Sequence, residues 1–276
     1  MIIGSEKFDL QLNLIDSAQC FLWTERDGKY GYVMNGKPVW IYKTENGIEA
    51  EGDADIHALR HYLDLDRDYG KVALEYSHIP VARQAIEMFP GMRVMNQPPW
   101  EALITFILSA NNNVSRIKSL ADALRSHFDQ PDELKEQGLC AFPTPEMLAA
   151  CSEEELRALK MGYRAPFLID TARRVCEGFP LEMLHDMSYE EAHRALVTLP
   201  GVGDKVADCV LLFGCGHTSA FPVDVWVDRL LKSWFGVEAK GRTAMLKQAR
   251  NLLGEHAGLL QQFLFHAART GAISLD

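Results

Sequence analysis

Two residues of this sequence have the type and placement of a catalytic pair. Lys205 directly follows a glycine-containing turn and lies in the first turn of a predicted helix that begins near Asp204. The positive end of the helix dipole disfavours a charged ammonium there, which makes the neutral, nucleophilic amine more accessible. A neutral lysine amine attacks electrophilic carbon and can form a Schiff base. The alternative is a lysine that contacts a phosphate or is simply solvated.

Asp224 supplies a candidate partner further along the chain. It follows Pro222 and Val223 at the start of another predicted helix, where Asp is a favoured N-cap. A capping carboxylate stays ionised, and beside a sugar C1′ it would stabilise the positive charge of an oxocarbenium-like transition state. The alternative is an ordinary helix cap.

The segment Leu199-Pro-Gly-Val-Gly-Asp-Lys205 joins two predicted helices, the first over residues 189–198. Glycines at alternate positions allow a tight turn and the close approach of a ligand to the backbone. The amides of Gly201, Gly203, Lys205 and Val206 would then form an anion site at a helix N-terminus. This pattern is a helix-hairpin-helix, which holds a DNA backbone phosphate through main-chain N–H groups. A plain corner between helices, with glycine for packing, is the alternative.

The elements that must position these residues fall into two parts. Residues 1–53 have strand character, and the alternation of apolar and polar residues over 8–14 predicts a half-buried strand. Further strands are predicted within the short apolar runs 19–23, 30–34 and 38–43. The dipeptides Asp27-Gly28 and Asn35-Gly36 are typical of tight turns between them. We expect an antiparallel meander with one buried face.

From about residue 55 the hydrophobic period becomes helical. The apolar spacing after Pro99 predicts a core helix, and Ser152–Glu155 and Ser188–Glu191 have the spacing of capping boxes. Further helices are predicted over residues 114–128, 163–177, 204–213, 224–235, 241–253 and 256–270. The expected fold class is α+β, with a small N-terminal antiparallel β-sheet domain (1–95) and a mostly helical body (96–276) that contains the hairpin.

Composition limits the possible functions. The 276 residues carry a formal charge of −10, which argues against a protein that coats nucleic acid non-specifically but not against a small local grip on DNA. Six scattered Cys fit a reducing compartment, and no apolar run approaches the roughly 18 residues of a membrane span. The N-terminus lacks the pattern of a signal peptide. We therefore expect a cytoplasmic monomer that works with the chromosome and has no membrane partner.

Taken together, the hairpin, Lys205 and Asp224 resemble the hairpin, Gly/Pro-rich loop and catalytic Asp of the helix-hairpin-helix DNA glycosylase superfamily, and the Lys marks its bifunctional branch. Four further segments resemble the human-like class of 8-oxoguanine DNA glycosylase/AP lyases. They are Ala18-Gln-Cys-Phe-Leu-Trp23, Ser109-Ala-Asn-Asn-Asn-Val-Ser-Arg116, Leu159-Lys-Met-Gly-Tyr-Arg-Ala165 and Gln261-Gln-Phe-Leu-Phe265. The segments occur in the family's order over nearly the whole chain.

The resemblance implies excision of 8-oxoguanine opposite cytosine from double-stranded DNA. Lys205 would attack C1′ and hold the sugar as a Schiff base, which permits β-elimination, and Asp224 would stabilise the sugar's positive charge. The extruded base would be recognised by the Ala18 carbonyl and Gln261, and stacked between Cys209 and Phe265. The resemblance further implies that the unpaired cytosine is contacted by Asn111, Arg116, Tyr163 and Arg164.

The resemblance also bears on cofactors. The hairpin of this family binds a cation through main-chain carbonyls, which correspond to Val197, Leu199 and Val202. We expect no required cofactor beyond this structural cation. No Cys follows Cys215, which excludes the C-terminal Cys₄ iron–sulfur cluster that adenine- and pyrimidine-specific relatives often carry.

Two departures and two alternatives stand beside this interpretation. Ala18 replaces the family's Gly, so its methyl group needs space, and Trp226 stands where eukaryotic members have a phosphate-contacting His.

A non-catalytic DNA-binding module is one alternative function. A glycosylase of the same superfamily with another damaged-base specificity is the other, although the alkylated-base enzymes lack the hairpin Lys.

Overall fold

A five-stranded antiparallel sheet forms the N-terminal part of the computed structural model, which describes residues 1–4, 7–53, 55–239 and 241–275, with the backbone alone at 242 and 243. The strands are β1 (Ile2–Gly4), β2 (Thr24–Arg26), β3 (Lys29–Met34), β4 (Lys37–Thr44) and β5 (Gly47–Gly52). Strands β2 to β5 form a meander, and β1 pairs with β5 at the edge, which gives the order β1-β5-β4-β3-β2. The predicted meander is confirmed.

The turns of the meander follow from their residue types. Arg26 pairs with Lys29 and Met34 with Lys37, so Asp27-Gly28 and Asn35-Gly36 are the two-residue loops. All four loop residues have positive φ, as the tight hairpin turn between twisted strands requires. The prediction that the meander has only one buried face is wrong for β3, because every residue from Tyr30 to Met34 is buried.

The strand predicted over residues 8–14 is wrong. Leu12–Asp16 is one turn of π-helix, which Asp9 starts by accepting the amide of Leu12 at 2.9 Å. The side chain of Asn13 is buried and bonds to the carbonyl of Gly91 and the amide of Arg93. These contacts hold the segment against residues that are distant in the sequence. The alternation of apolar and polar residues over 8–14 could not reveal such contacts, so it wrongly predicted a strand.

The strand predicted within residues 19–23 is also wrong, since β2 begins only at Thr24. The apolar residues 20–23 are buried, but side chains of the helical body, rather than a neighbouring strand, bond to the carbonyls of this segment. Gln97 donates to the carbonyl of Gln19, Arg125 to that of Leu22 and Lys118 to that of Trp23. Arg125 and Lys118 therefore tie the N-terminal segment to the body.

The remainder of the described chain is helical, as expected. The helices that shape the candidate site are α4 (Pro99–Ser109), α5 (Val114–His127), α9 (Ala165–Cys176), α10 (Tyr189–Leu196), α11 (Asp204–Gly214), α12 (Val225–Phe235) and α14 (Ala257–Thr270). The others are α1 (Ile56–Tyr62), α2 (Tyr69–Glu75), α3 (Pro80–Met88), α6 (Asp132–Glu136), α7 (Pro145–Ala149), α8 (Glu153–Ala158) and α13 (Arg242–Leu253). Both predicted capping boxes are confirmed, at the starts of α8 and α10.

The core is continuous between the sheet and the helices. Apolar residues from the N-terminal segment through α14 form one buried cluster, and α4 and α11 pack along each other within it. No helix in the described part of the chain is long and apolar enough to cross a bilayer. The domain boundary expected between residues 95 and 96 stays a prediction.

A buried carboxyl group in α4 predicts how stability varies with pH. Burial raises the pKa of Glu101 from 4.5 to about 7, although Tyr32 donates a hydrogen bond to its Oε2 at 2.6 Å. The folded state binds this proton more tightly than the unfolded state does. Protonation of Glu101 therefore contributes fully to the stability of the protein below pH 4.5, and this contribution is lost as the pH rises to about 7.

We expect Glu101→Gln, which cannot ionise, to gain about 3 kcal/mol relative to the wild type between pH 4.5 and pH 8. Denaturant unfolding of both proteins across this range measures the difference, in which the other titrating groups cancel. A difference that stays constant with pH would contradict the assignment of the buried charge to Glu101.

Candidate active site

The hairpin between α10 and α11 has the geometry that its glycines suggest. Gly201 has a φ of 78°, and a Cβ at this position would lie 2.9 Å from the Cβ of Phe167 in α9. Gly203 is the extended N-cap of α11, which begins at Asp204. The first amides of α11, including those of Lys205 and Val206, lack acceptors within their own helix. The turn therefore presents N–H groups at a positive helix end, as an anion site requires.

Lys205 is held at the contact between α11 and α4. Its half-buried Nζ donates to Ser109 Oγ at 2.9 Å and lies 5.2 Å from the centroid of the Phe106 ring. The Ser109 hydroxyl donates its own hydrogen to the carbonyl of Phe106 at 2.7 Å, so a lone pair remains for the lysine. This contact directs the amine along the end of α4. Our sequence reasoning missed Ser109, whose only signal was its place at the head of the triple-Asn segment.

Asp224 is the N-cap of α12, as predicted. Its Oδ1 accepts the amide of Val227 at 2.9 Å, and the side chain is half-buried. This bond uses one of the two carboxylate oxygens. Asp224 is therefore fixed in position by a bond that leaves it able to act on a neighbouring charge.

The pKa of the buried Cys209 thiol is influenced by both Lys205 and Asp224. Burial raises the pKa of Cys209 to about 11, the ammonium of Lys205 opposes this shift, and the carboxylates of Asp208 and Asp224 add to it. At neutral pH the group is a protonated thiol, one helical turn after Lys205.

The residues expected to recognise a base lie on two segments that contact each other. Ala18 has a φ of 60°, in the left-handed region that favours glycine. The carbonyl of the preceding Ser17 accepts the side-chain amide of Gln262 in α14 at 2.9 Å. Gln262 follows Gln261 directly, so this bond brings the Ala18 loop to the part of α14 expected to bind the base.

Gln261 itself has an unused acceptor. The residue is only 4% exposed, and its Oε1 has no hydrogen-bond partner among the described residues. Burying an unpaired acceptor costs about 1–3 kcal/mol, so such a group marks a place where a donor is expected. Phe265, one turn further along α14, is half-buried.

The four residues expected around the opposite base come together from the loop after α4, the first turn of α5 and the 3₁₀ turn Gly162–Arg164. Asn111 has a φ of 54° and is exposed just after α4, while Arg116 donates to the carbonyl of Lys160 at 3.2 Å. Tyr163 is 49% exposed and carries the Arg164 guanidinium 4.4 Å from its ring centroid. Arg164, in contrast, is buried, and it donates with Tyr163 to the carbonyl of Ala110.

The carbonyls expected to hold a cation lie at the end of α10 and in the hairpin. Val197 is the C-cap of α10, and the carbonyl of Leu199 accepts the amide of Val202 at 3.2 Å. Main-chain oxygens are hard donors, and each has a second lone pair, so this set fits a hard cation. Among the described residues no group of three or more His, Cys, Asp or Glu could hold a metal ion.

A glycine-containing hairpin that leads into a lysine at a helix N-terminus, followed by an aspartate that caps the next helix, is typical of the class of helix-hairpin-helix DNA glycosylases. Comparison with protein families agrees, since residues 104–255 match the HhH-GPD superfamily of base excision DNA repair proteins, and the chain belongs to this superfamily. Residues 1–103 match the N-terminal domain of 8-oxoguanine DNA glycosylase. The resemblance found in the sequence is therefore confirmed.

Individual relatives match nearly the whole chain. A probable N-glycosylase/DNA lyase of Methanothermobacter thermautotrophicus is 32% identical and covers 91% of this chain and 90% of its own length. An N-glycosylase/DNA lyase of Saccharomyces cerevisiae is 36% identical over 82% of this chain and 68% of its own. The 8-oxoguanine glycosylase/lyase of Clostridium acetobutylicum, solved with double-stranded DNA containing cytosine opposite 8-oxoguanine, superposes with a TM-score of 0.87 at 30% identity. That alignment covers 97% of this chain and 94% of the clostridial one.

Proposed function

We propose that this protein excises 8-oxoguanine from double-stranded DNA and cleaves the resulting abasic site, as a bifunctional DNA glycosylase/AP lyase of base excision repair. The observation that carries the proposal is the placement of the Lys205 amine, which directly follows the hairpin in the first turn of α11 and is bonded to Ser109 at the end of α4. The names of the similar N-glycosylase/DNA lyases support the same activity.

In the first chemical step, the neutral amine of Lys205 attacks C1′ of the extruded nucleotide. The bond from C1′ to the base breaks, and the base leaves with the bonding electrons and takes up a proton. Asp224 stabilises the positive charge that develops on the sugar, and the cap bond to Val227 keeps its side chain in place. The attached amine then gives up one proton, O4′ takes up a proton as its bond to C1′ breaks, and the nitrogen lone pair forms the C=N bond of a protonated Schiff base. This intermediate permits β-elimination of the 3′ phosphate.

Base recognition uses the unpaired acceptor of Gln261. The Watson–Crick edge of a purine such as 8-oxoguanine offers N–H donors that satisfy Oε1, and the burial of this atom makes a mismatch costly. 8-Oxoguanine differs from guanine in carrying a hydrogen on N7, which the carbonyl of Ala18 accepts. Phe265 and the protonated thiol of Cys209 cover the two faces of the base.

The DNA is held on both strands. The hairpin amides of Gly201, Gly203, Lys205 and Val206 bind a phosphate of the damaged strand, and a structural cation on the carbonyls of Val197, Leu199 and Val202 would reinforce this contact. The protein acts as a monomer. No cofactor is needed for the chemistry described, because Lys205 and Asp224 supply the nucleophile and the charge.

The residues expected around the opposite base predict a preference for cytosine. Extrusion of 8-oxoguanine leaves cytosine unpaired, with O2 and N3 as acceptors for the guanidinium of Arg116 and with an edge open to the Asn111 amide. Tyr163 occupies the gap in the stack, and Arg164 holds the loop against Ala110. Adenine would place its N6 donor against a guanidinium donor. We expect excision opposite cytosine to be about tenfold faster than opposite adenine.

Single-turnover excision on duplexes that differ only in the opposing base tests the proposed function and this preference together. Arg116→Ala should erode the preference and slow the reaction opposite cytosine most. Arg83→Ala, an exposed arginine on α3, is the matched control. Equal rates opposite all four bases would refute the cytosine site. The absence of excision and of a borohydride-trapped adduct would instead favour a non-catalytic DNA-binding module, and trapping only on another lesion would favour a different base specificity.

A further inference from the structure

Two buried glutamines hold the loop that contains Ala18 from two different segments of the chain. Gln262 in α14 donates its side-chain amide to the carbonyl of Ser17 at 2.9 Å. Gln97, which lies just before α4, donates its side-chain amide to the carbonyl of Gln19 at 2.8 Å. Both donors are buried. The carbonyls on either side of Ala18 are therefore tied to the helical body.

The side chain of Gln19 fixes the same loop through further bonds. Its Oε1 accepts the amide of Met95 at 2.9 Å, and its Nε2 donates to the carbonyl of Arg93 at 2.9 Å. The same Nε2 also donates to Ser17 Oγ at 3.0 Å. Gln19 is itself completely buried. The conformation of the loop is thus set by bonds to residues that are distant in the sequence as well as by its own residues.

The carbonyl between these two tied carbonyls has no partner. The oxygen of Ala18 accepts no hydrogen bond from any residue that the structure describes, and Ala18 is half-buried. The carbonyls of Ser17 and Gln19, in contrast, each accept a side-chain amide. The loop therefore presents one unpaired acceptor in a fixed frame, and such a group marks a place where a donor is expected.

The bond from Gln262 also keeps the loop in a strained conformation. Ala18 has a φ of 60°, which residues with a Cβ seldom adopt. Rotation of the peptide plane between Ser17 and Ala18 would return this φ to negative values and relieve the strain. The same rotation would break the bond from Gln262 to the carbonyl of Ser17. Strained backbone persists where surrounding bonds hold it, so without Gln262 the loop can relax away from α14.

The same bond links two unpaired acceptors. Ser17 precedes Ala18, whose carbonyl is free, and Gln262 follows Gln261, whose buried Oε1 has no partner among the described residues. One hydrogen bond thus joins the two segments at a distance of one residue from each acceptor. Two such acceptors suit a flat ligand with N–H donors on two edges. 8-Oxoguanine has N7–H on one edge and N1–H with the 2-amino group on another, whereas guanine has no hydrogen on N7.

We propose that Gln262 and Gln97 are positioning residues that hold the Ala18 carbonyl as a fixed acceptor, and that this rigidity lets the pocket distinguish 8-oxoguanine from guanine. A fixed carbonyl bonds to N7–H of the oxidised base and repels the lone pair on N7 of guanine. A loop that could shift would lose the bond to the first base and escape the repulsion from the second. The inference rests on the proposed function, in which Ala18 contacts N7, and adds the residues that keep Ala18 in place.

Gln262→Met tests the proposal, because methionine has nearly the size of glutamine but no N–H donor. We expect single-turnover excision of 8-oxoguanine opposite cytosine to fall about tenfold. Cleavage of a preformed abasic site should change less than about twofold, because Lys205 attacks an aldehyde there and no base has to be recognised. The ratio of these two rates is the first readout. The second is the binding preference for an 8-oxoguanine duplex over a guanine duplex, measured in a Lys205→Gln background, which should fall by a similar factor.

Gln130→Met is the matched control. Gln130 is also buried, and its side chain donates to the carbonyl of Arg125 at 2.8 Å and accepts the amide of Ala141 at 2.7 Å, outside the proposed sites. This variant loses bonds of the same kind, so its stability should fall, whereas its rate ratio should remain that of the wild type. Gln97→Met frees the other flanking carbonyl and should lower the ratio as Gln262→Met does. It decides the matter if Gln262→Met does not fold.

A wild-type rate ratio and base preference in Gln262→Met would overturn the proposal, and excision by the wild type would leave the proposed function standing. An equal fall of both rates in Gln262→Met, repeated in Gln130→Met, would show that Gln262 acts on stability alone, which also overturns the proposal. A wild type that neither excises 8-oxoguanine nor forms a trapped adduct would overturn the proposed function and this inference together.

Discussion

Lys205→Gln is expected to abolish base release and the covalent adduct together. A glutamine amide is not a nucleophile, so attack on C1′ cannot occur, and we expect single-turnover excision to fall by about four orders of magnitude or more. The glutamine side chain can still donate to Ser109 Oγ, which accepts the lysine in the wild type, so the packing of α11 on α4 is kept. Duplex binding should change little, since in the proposed function the hairpin binds the phosphate through main-chain amides.

Borohydride trapping on an 8-oxoguanine duplex, with binding measured in parallel, checks this result. Lys43→Gln is the matched control, because it removes an exposed lysine from β4 and should leave the adduct intact. An adduct of undiminished yield from Lys205→Gln would show that another amine attacks the sugar. The assignment of the nucleophile would then be lost, whatever the enzyme excises.

Asp224→Asn should separate the capping role of this residue from its charge. Asparagine also caps helices well and can accept the amide of Val227, so stability should change by less than about 1 kcal/mol. The negative charge beside the sugar is lost, and we expect turnover to fall about 10²- to 10³-fold, as when one electrostatic stabiliser of a transition state is removed. Single-turnover rates together with thermal unfolding measure both quantities.

Asp228→Asn is a matched control on the same helix, because Asp228 is partly exposed and pairs only with Lys232 among the described residues. It should leave the rate at saturating enzyme unchanged. A sharp loss of stability in Asp224→Asn, combined with normal turnover of the protein that remains folded, would mean that Asp224 is only a cap. The proposed role in stabilising the sugar cation would then have to be abandoned.

The sequence by itself determined the features that depend on neighbouring residues. Capping boxes, the N-cap at Asp224, the two-residue turns at Asp27-Gly28 and Asn35-Gly36, and the hairpin at Gly201 each follow from the conformational preferences of a few consecutive residues. The helical period after residue 55 likewise reflects one face of each helix packing on the core. Motif order then sufficed to recognise the family, because the hairpin, Lys205 and Asp224 keep their order along the chain.

Tertiary structure decided what depends on contacts between distant segments. Residues 8–14 alternate as a strand does, yet Asn13 is tied to Gly91 and Arg93, and the segment turns into a helix. Ser109 meets Lys205 across 96 residues only because α4 and α11 pack together. The unpaired Oε1 of Gln261 is likewise a consequence of packing. A residue's type states which bonds it can make, but burial and the positions of its neighbours determine which bonds it does make. The partners in this site therefore emerge only when the chain is folded.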